Sequence, residues 1–147
     1  MVQRDTHEII ELYTSTMNEV NRRISVIMNE EVHQELTTDQ FSTLCYLRAN
    51  QPCTSTDIAH EFSIGKSAVT AQVNRLFDRG FITRTRDHDD RRIVYLSLTE
   101  EGSTIVQEGK ERLYEVLGNI LSDFSQEDIE HFIQTLQKLV HSIREKY

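Results

Sequence analysis

The chain has 147 residues and a formal net charge of −8, with 37% hydrophobic and 27% charged residues, five glycines, one proline and no tryptophan. That length suits one domain of about 100–200 residues, and the composition excludes collagen-like, low-complexity and disulfide-framework classes. No apolar run approaches the ~20 residues of a membrane span, Met1-Val2-Gln3-Arg4-Asp5 lacks the basic and apolar regions of a signal peptide, and two cysteines, Cys45 and Cys53, point to free thiols in a reducing compartment. The expectation is a cytoplasmic protein with no membrane partner.

Apolar residues at Ile9, Tyr13, Met17, Val20, Ile24, Ile27 and Met28 recur three and four apart, which predicts a helix from about Thr6 to Val32. Ordinary helices run about 8–20 residues, so one this long braces against something beyond its own domain. Thr37 with Gln40 has the spacing of a capping box and opens a second helix, with Phe41, Leu44, Cys45 and Leu47 on its apolar face, ended by Asn50-Gln51-Pro52. Thr54 with Asp57 repeats that signature before a short helix carrying Ile58, Ala59 and Phe62. Ser63-Ile64-Gly65 is a tight connection to a helix from about Lys66 to Arg79, and Gly80 is placed to stop it in a left-handed conformation. Phe81 to Arg86 and Ile93 to Leu98 read as two strands around the polar tip Asp87-His88-Asp89-Asp90-Arg91-Arg92. The remainder is helical again, with Leu113, Val116, Leu117, Ile120 and Leu121 in one stripe. A last helix opens at a capping box of Ser125 with Asp128.

Two helices joined by a short turn and followed directly by a β-hairpin describe a winged helix-turn-helix. The fold class is therefore mainly α with a small β-hairpin. On the second helix of the motif, Val69, Val73, Leu76 and Phe77 fall within about 100° of arc. Ser67, Ala71, Asn74 and Asp78 lie opposite, with Thr70 and Arg75 on the flanks. That face is small and hydrogen-bonding, with little bulk to keep it out of a DNA major groove. Gly65 supplies no side-chain cap, which leaves amides near Lys66 and Ser67 free for a phosphate.

Charge is unevenly distributed. Residues 64–92 hold seven basic side chains against four acidic, while residues 1–63 hold four against ten and residues 93–147 five against ten. One basic island in an acidic body is what docking on phosphates requires, although a solvated patch of mixed charge has the same signature. Arginines at the hairpin tip suit a narrow minor groove with its enhanced negative potential. The carboxylates of Asp87 and Asp90 are placed to brace those guanidinium groups bidentately; a solvated Asp-rich turn is the alternative.

Ser-Ala-Val-Thr at 67–70, Arg75-Leu76, Arg79-Gly80-Phe81-Ile82, the tip sequence 87–92 and Leu98-Thr99-Glu100-Glu101-Gly102 resemble the MarR family of bacterial transcriptional regulators along essentially the whole chain. The resemblance implies a single domain over 1–147, with dimerisation helices at 6–36 and 103–147 around a winged helix-turn-helix DNA-binding lobe at 37–99. It makes Lys66, Ser67, Thr70, Gln72 and Arg75 recognition-helix contacts, and Arg91 and Arg92 wing contacts, with Arg92 in the minor groove. Gly65 and Ala71 depart from relatives that carry a polar cap and a basic residue there. The function implied is that of a homodimeric repressor on double-stranded DNA, released from a pseudo-palindromic operator by a small aromatic or amphipathic ligand.

No catalytic constellation accompanies these motifs: a Gly-x-Ser-x-Gly elbow, phosphate loop or nucleotide fingerprint is missing, and the six histidines are scattered. No cofactor is expected. Glu30, Glu31, His33 and Glu35 offer metal-binding side chains without zinc spacing, and read as a solvated acidic helix end. Cys45 lies in an apolar run and reads as buried, Cys53 beside Pro52 as more exposed, and neither as reactive. Three alternatives remain: a winged helix that binds protein, a metal-dependent DNA regulator and a redox-sensing one.

Overall fold

The computed structural model describes residues 5–33 and 35–147; Met1–Arg4, the stretch without signal-peptide character, and Gln34 lie outside them. Helix α1 (Thr6–Ile27) buries none of its residues. It continues into a π-helical turn, Met28–Val32, where the His33 amide donates to the Met28 carbonyl at 2.9 Å. Sequence periodicity treats this as one helix to Val32, because a wider last turn does not alter the apolar spacing. At the turn the chain goes inward: Met28 and His33 are both buried.

The capping residues set the next two helices. Thr37 Oγ1 accepts from the Gln40 amide at 3.2 Å while Gln40 Oε1 accepts from the Thr37 amide at 3.1 Å, which opens α2 (Thr38–Asn50). Thr54 and Asp57 make the same exchange at 3.2 and 2.8 Å before α3 (Ser55–Phe62). Ser63, at φ 52°, reverses the chain through the left-handed region, and α4 (Lys66–Asp78) begins three residues later. Gly80, at φ 78°, ends that helix in the conformation glycine tolerates.

Strands β1 (Ile82–Arg86) and β2 (Val94–Leu98) pair antiparallel, with Ile82 opposite Leu98 and Arg84 opposite Leu96. Cys53 adds a one-residue third edge: its amide donates to Leu96 O at 3.2 Å and its carbonyl accepts from Leu96 N at 2.7 Å. This pairing corrects the expected exposure of the thiols. Cys53 is buried at the edge of the sheet and Cys45 is only half-buried. Fully buried Leu44 and Leu47 from α2, Ile58 from α3, Val69 and Leu76 from α4, and Ile82 and Leu96 from the hairpin make one core.

Helix α5 (Glu100–Leu121) follows β2 at once. Thr99 Oγ1 donates to Gly80 O at 2.6 Å and accepts from the Gly102 amide at 3.0 Å, so one hydroxyl caps α5 and ties it to the end of α4. A Cβ on Gly102 would stand 2.1 Å from the Phe81 carbonyl oxygen, and one on Gly109 would stand 2.4 Å from the Phe41 ring. Helix α6 (Gln126–Lys146) is opened by Ser125, whose hydroxyl accepts from the Asp128 amide at 3.1 Å. The expected reciprocal bond differs: the Asp128 carboxylate accepts from the Ser125 hydroxyl at 2.7 Å rather than from its amide.

The chain divides into two compact units, Met1–Arg112 and Leu113–Tyr147. The first three turns of α5 thus belong with the winged helix, because Gly102, Val106 and Gly109 are buried there. In the second unit α6 buries no residue and exposes Phe132, Ile133, Val140 and Ile143. Among the described residues, no helix is long and apolar enough to cross a membrane.

Candidate nucleic-acid interface

Helix α4 presents Lys66, Ser67, Thr70, Ala71, Asn74 and Arg75 to solvent and buries Val69, Val73 and Leu76. Gly65 at its N-cap makes no side-chain cap, so the first-turn amides are without a capping oxygen. Thr70 turns its hydroxyl proton back to the Lys66 carbonyl at 2.8 Å, which leaves the oxygen lone pairs facing outward as acceptors. Gln72 is half-buried and stands less free than the other four residues expected to contact DNA. Phe77 departs from the expected apolar face, for it is 41% exposed.

The hairpin tip is ordered by carboxylates. Asp87 Oδ1 accepts from the amides of Asp89 and Asp90 at 2.9 and 3.0 Å. The amides of Asp90 and Asp89 hold the Asp87 carboxyl below the ordinary carboxylate range. Asp87 therefore braces backbone, in place of the guanidinium expected for it. Asp90 does engage a guanidinium: Arg92 Nε and Nη2 donate to its two oxygens, each at 3.1 Å, and the Arg92 amide donates at 3.0 Å. Those bonds, the side-chain ones foremost, lower the Asp90 pKa. The Arg92 side chain stays 91% exposed while held at two points. Arg91 is exposed and lends its carbonyl to Arg86 Nη1 at 2.9 Å.

Three residues of this site escape sequence reasoning. Tyr95 faces Asp87 from β2, and the carboxylate charge raises the phenol pKa. Arg86 closes the tip from β1, and Arg84 reaches α4, where it stacks on Phe77 and donates to Asn74 Oδ1. Strand alternation is the signal for the last two, since Ile82, Arg84 and Arg86 share a face.

Arg79, counted in the basic island, is committed elsewhere. It donates to the Glu35 carbonyl, pairs with the Glu35 carboxylate at 3.8 Å and lies 5.0 Å from the Phe81 ring centroid. Glu31 pairs with Arg112, and His33 stacks on Phe41 with its Nδ1 2.7 Å from the Leu36 carbonyl. The acidic helix end thus points its groups at separate partners. Among the described residues, no cluster of three His, Cys, Asp or Glu side chains could hold a metal. Burial pushes the Cys53 thiol up to about 11, helped by the Asp57 charge. Burial also raises Cys45, against the opposing charges of Lys110 and Arg48.

The profile of the MarR family matches residues 36–94, the segment that holds α2, α3, α4 and the hairpin as far as Val94. The match spans 59 of the 147 residues, so the chain is similar to the MarR family over its winged helix-turn-helix. It is 27% identical over 123 residues to YpoP, an HTH-type transcriptional regulator of Bacillus subtilis, covering 84% of this chain and 87% of the relative. FabT of Streptococcus pneumoniae, solved in complex with DNA, shares the fold at a TM-score of 0.79 and 24% identity, covering 97% of this chain and all of that one. The PcaV regulator of Streptomyces coelicolor, solved with its natural ligand, shares it at 0.77 and 21% identity, covering 97% and 99%. YpoP and PcaV are both described as transcriptional regulators.

Proposed function

We propose that this protein is a regulator of the MarR type, sequence-specific, which binds double-stranded DNA as a homodimer. The observation that carries the reading is Arg92, held bidentately by Asp90 yet almost fully exposed at the wing tip. A guanidinium fixed in direction but not consumed is suited to a narrow minor groove. In this reading Lys66, Ser67, Thr70, Gln72 and Arg75 face the major groove, while Arg91 and Arg92 contact the flanking minor groove. Asp90 braces Arg92, and Asp87 braces the turn. FabT, which shares the fold and was solved in complex with DNA, supports the same reading.

A second copy is the proposed cover for the apolar surface of α1 and α6. Ile9, Ile10, Leu12 and Tyr13 are exposed on α1, and α6 has a groove lined by Ile133, Leu136, Gln137, Val140, His141 and Arg144. The dimerisation segments would be 6–36 and 103–147, with 37–99 as the DNA-binding lobe. Two recognition helices about 34–36 Å apart then meet half-sites about 10 base pairs apart. That PcaV was solved with its natural ligand supports a ligand-responsive regulator; a repressor released by a small aromatic or amphipathic compound is the proposed form. Such a ligand acts by its differential affinity for lobe spacings that fit or miss the operator.

Selection from random duplex DNA tests this reading. Enrichment of a pseudo-palindrome with half-sites about one helical turn apart is expected; recovery of unrelated sequences with no shared motif would reject it.

A further inference from the structure

On β2 the hairpin is held as far as Leu96, which is buried and bonded to Cys53, but β1 loses burial sooner. Of the five residues of β1, Ile82 is buried and the four that follow are exposed. The angle at which the wing leaves α4 therefore depends on contacts made beyond Ile82. Alternation puts Arg84 on the Ile82 face of β1, leaning over the same helix. Its guanidinium carbon lies 4.4 Å from the centroid of the Phe77 ring, and its Nη2 donates to Asn74 Oδ1. Asn74 and Phe77 are three apart on α4 and so share one stripe. One planar cation thus stacks on one residue of that stripe and hydrogen-bonds to the other. Two residues along the same strand face, Arg86 holds the tip through the Arg91 carbonyl.

We infer that Arg84 is a positioning residue which fixes the wing against the recognition helix, so that α4 and Arg92 meet adjacent grooves of one site together. Asn74, although exposed, serves as its anchor rather than as a reader of bases. The inference rests on the DNA-binding reading above. A guanidinium has a planar fork suited to stacking and donating at once, which a lysine ammonium cannot reproduce. The exposed aromatic face of Phe77 then has a purpose, as the platform of the brace.

The test is a double-mutant cycle on operator binding with Arg84→Ala and Asn74→Ala, each titrated at several salt concentrations. Arg84→Ala is expected to weaken operator binding about tenfold, with binding to scrambled DNA and the salt slope unchanged. The double variant is expected to be no weaker than Arg84→Ala, and Arg84→Lys to leave the defect in place. Three results would each overturn the positioning role: additive losses, full recovery by lysine, or a salt slope lower by about one unit, the mark of a cation that itself neutralises a phosphate. A readout without DNA separates this from the parent reading. In the free protein the Arg84 side-chain protons should show the ring-current shift of Phe77, abolished in Phe77→Leu. Absence of that shift overturns the brace itself. If the shift is present while the unaltered protein binds no DNA specifically, the DNA-binding reading has failed and the positioning role falls with it.

Discussion

Arg92 and Asp90 illustrate how little energy a functional contact needs when its purpose is direction. An exposed ion pair contributes little to folding stability, and the Arg92 side chain is 91% exposed. In the proposed reading its value lies in aiming a cation before DNA arrives. Arg92→Ala is expected to cost about 1–3 kcal/mol in operator binding, the worth of one good specific contact, measured by titration at fixed salt; unchanged affinity would remove Arg92 from the interface. Asp90 has its pKa lowered by Arg92, so the bracing is present above the ordinary carboxylate range and is lost as pH falls through the depressed value. An NMR titration of the Asp90 carboxyl carbon should give a midpoint below the ordinary ~3.9, with the tip unaltered from pH ~5 to ~8. A midpoint at or above the ordinary value would contradict the bracing. Cys53, with its thiol pushed up to about 11, is almost wholly protonated near neutrality. It should resist iodoacetamide at pH ~7.5 in the folded protein and react after unfolding; rapid alkylation of the native protein would reopen a redox role.

At the scale of elements, the Leu98-Thr99-Glu100-Glu101-Gly102 motif has a packing explanation. Thr99 must cap α5 and bond to Gly80, and residue 102 must pass the Phe81 carbonyl so closely that a Cβ would meet it at 2.1 Å. A backbone oxygen cannot swing aside as a side chain can. Gly102→Ala is accordingly expected to destabilise by about 1–3 kcal/mol, the range for overpacking, seen as a lower denaturant midpoint. A variant of unaltered stability would show that α5 can shift freely. The helix boundaries around α2 and α3 are legible in the sequence because Thr37 with Gln40 and Thr54 with Asp57 satisfy amides within four residues of chain. The burial of Cys53 is not, because it follows from pairing with Leu96, far along the chain. Nor is the exposure of Phe77, since a helical wheel reports angle and not what covers a residue; Arg84 does so from another element. The partner of Asp87 is hidden for a similar reason. Spacing alone cannot tell an Asx turn onto amides from a bond to a guanidinium.

For the whole molecule, the distribution of charge decides more than its sum. A net charge of −8 repels nucleic acid at long range, while residues 64–92 carry seven basic side chains against four acidic ones. Among those seven, Arg79 is bound to Glu35, Arg84 to Asn74 and Arg86 to the Arg91 carbonyl, which leaves Lys66, Arg75, Arg91 and Arg92 as the exposed cations proposed to face DNA. An acidic body with a small basic face should bind operator DNA specifically and other DNA weakly. The apolar residues left exposed on α1 and α6 make a second copy part of the same account, and sedimentation should find a dimer at micromolar concentration. The most direct test is titration of labelled DNA from upstream of the protein's own coding region at several salt concentrations, with scrambled DNA of equal length as competitor. The expected result is tight binding that resists the competitor, with one dimer per pseudo-palindrome. Weak binding, equal for both DNAs and abolished alike by salt, would contradict it.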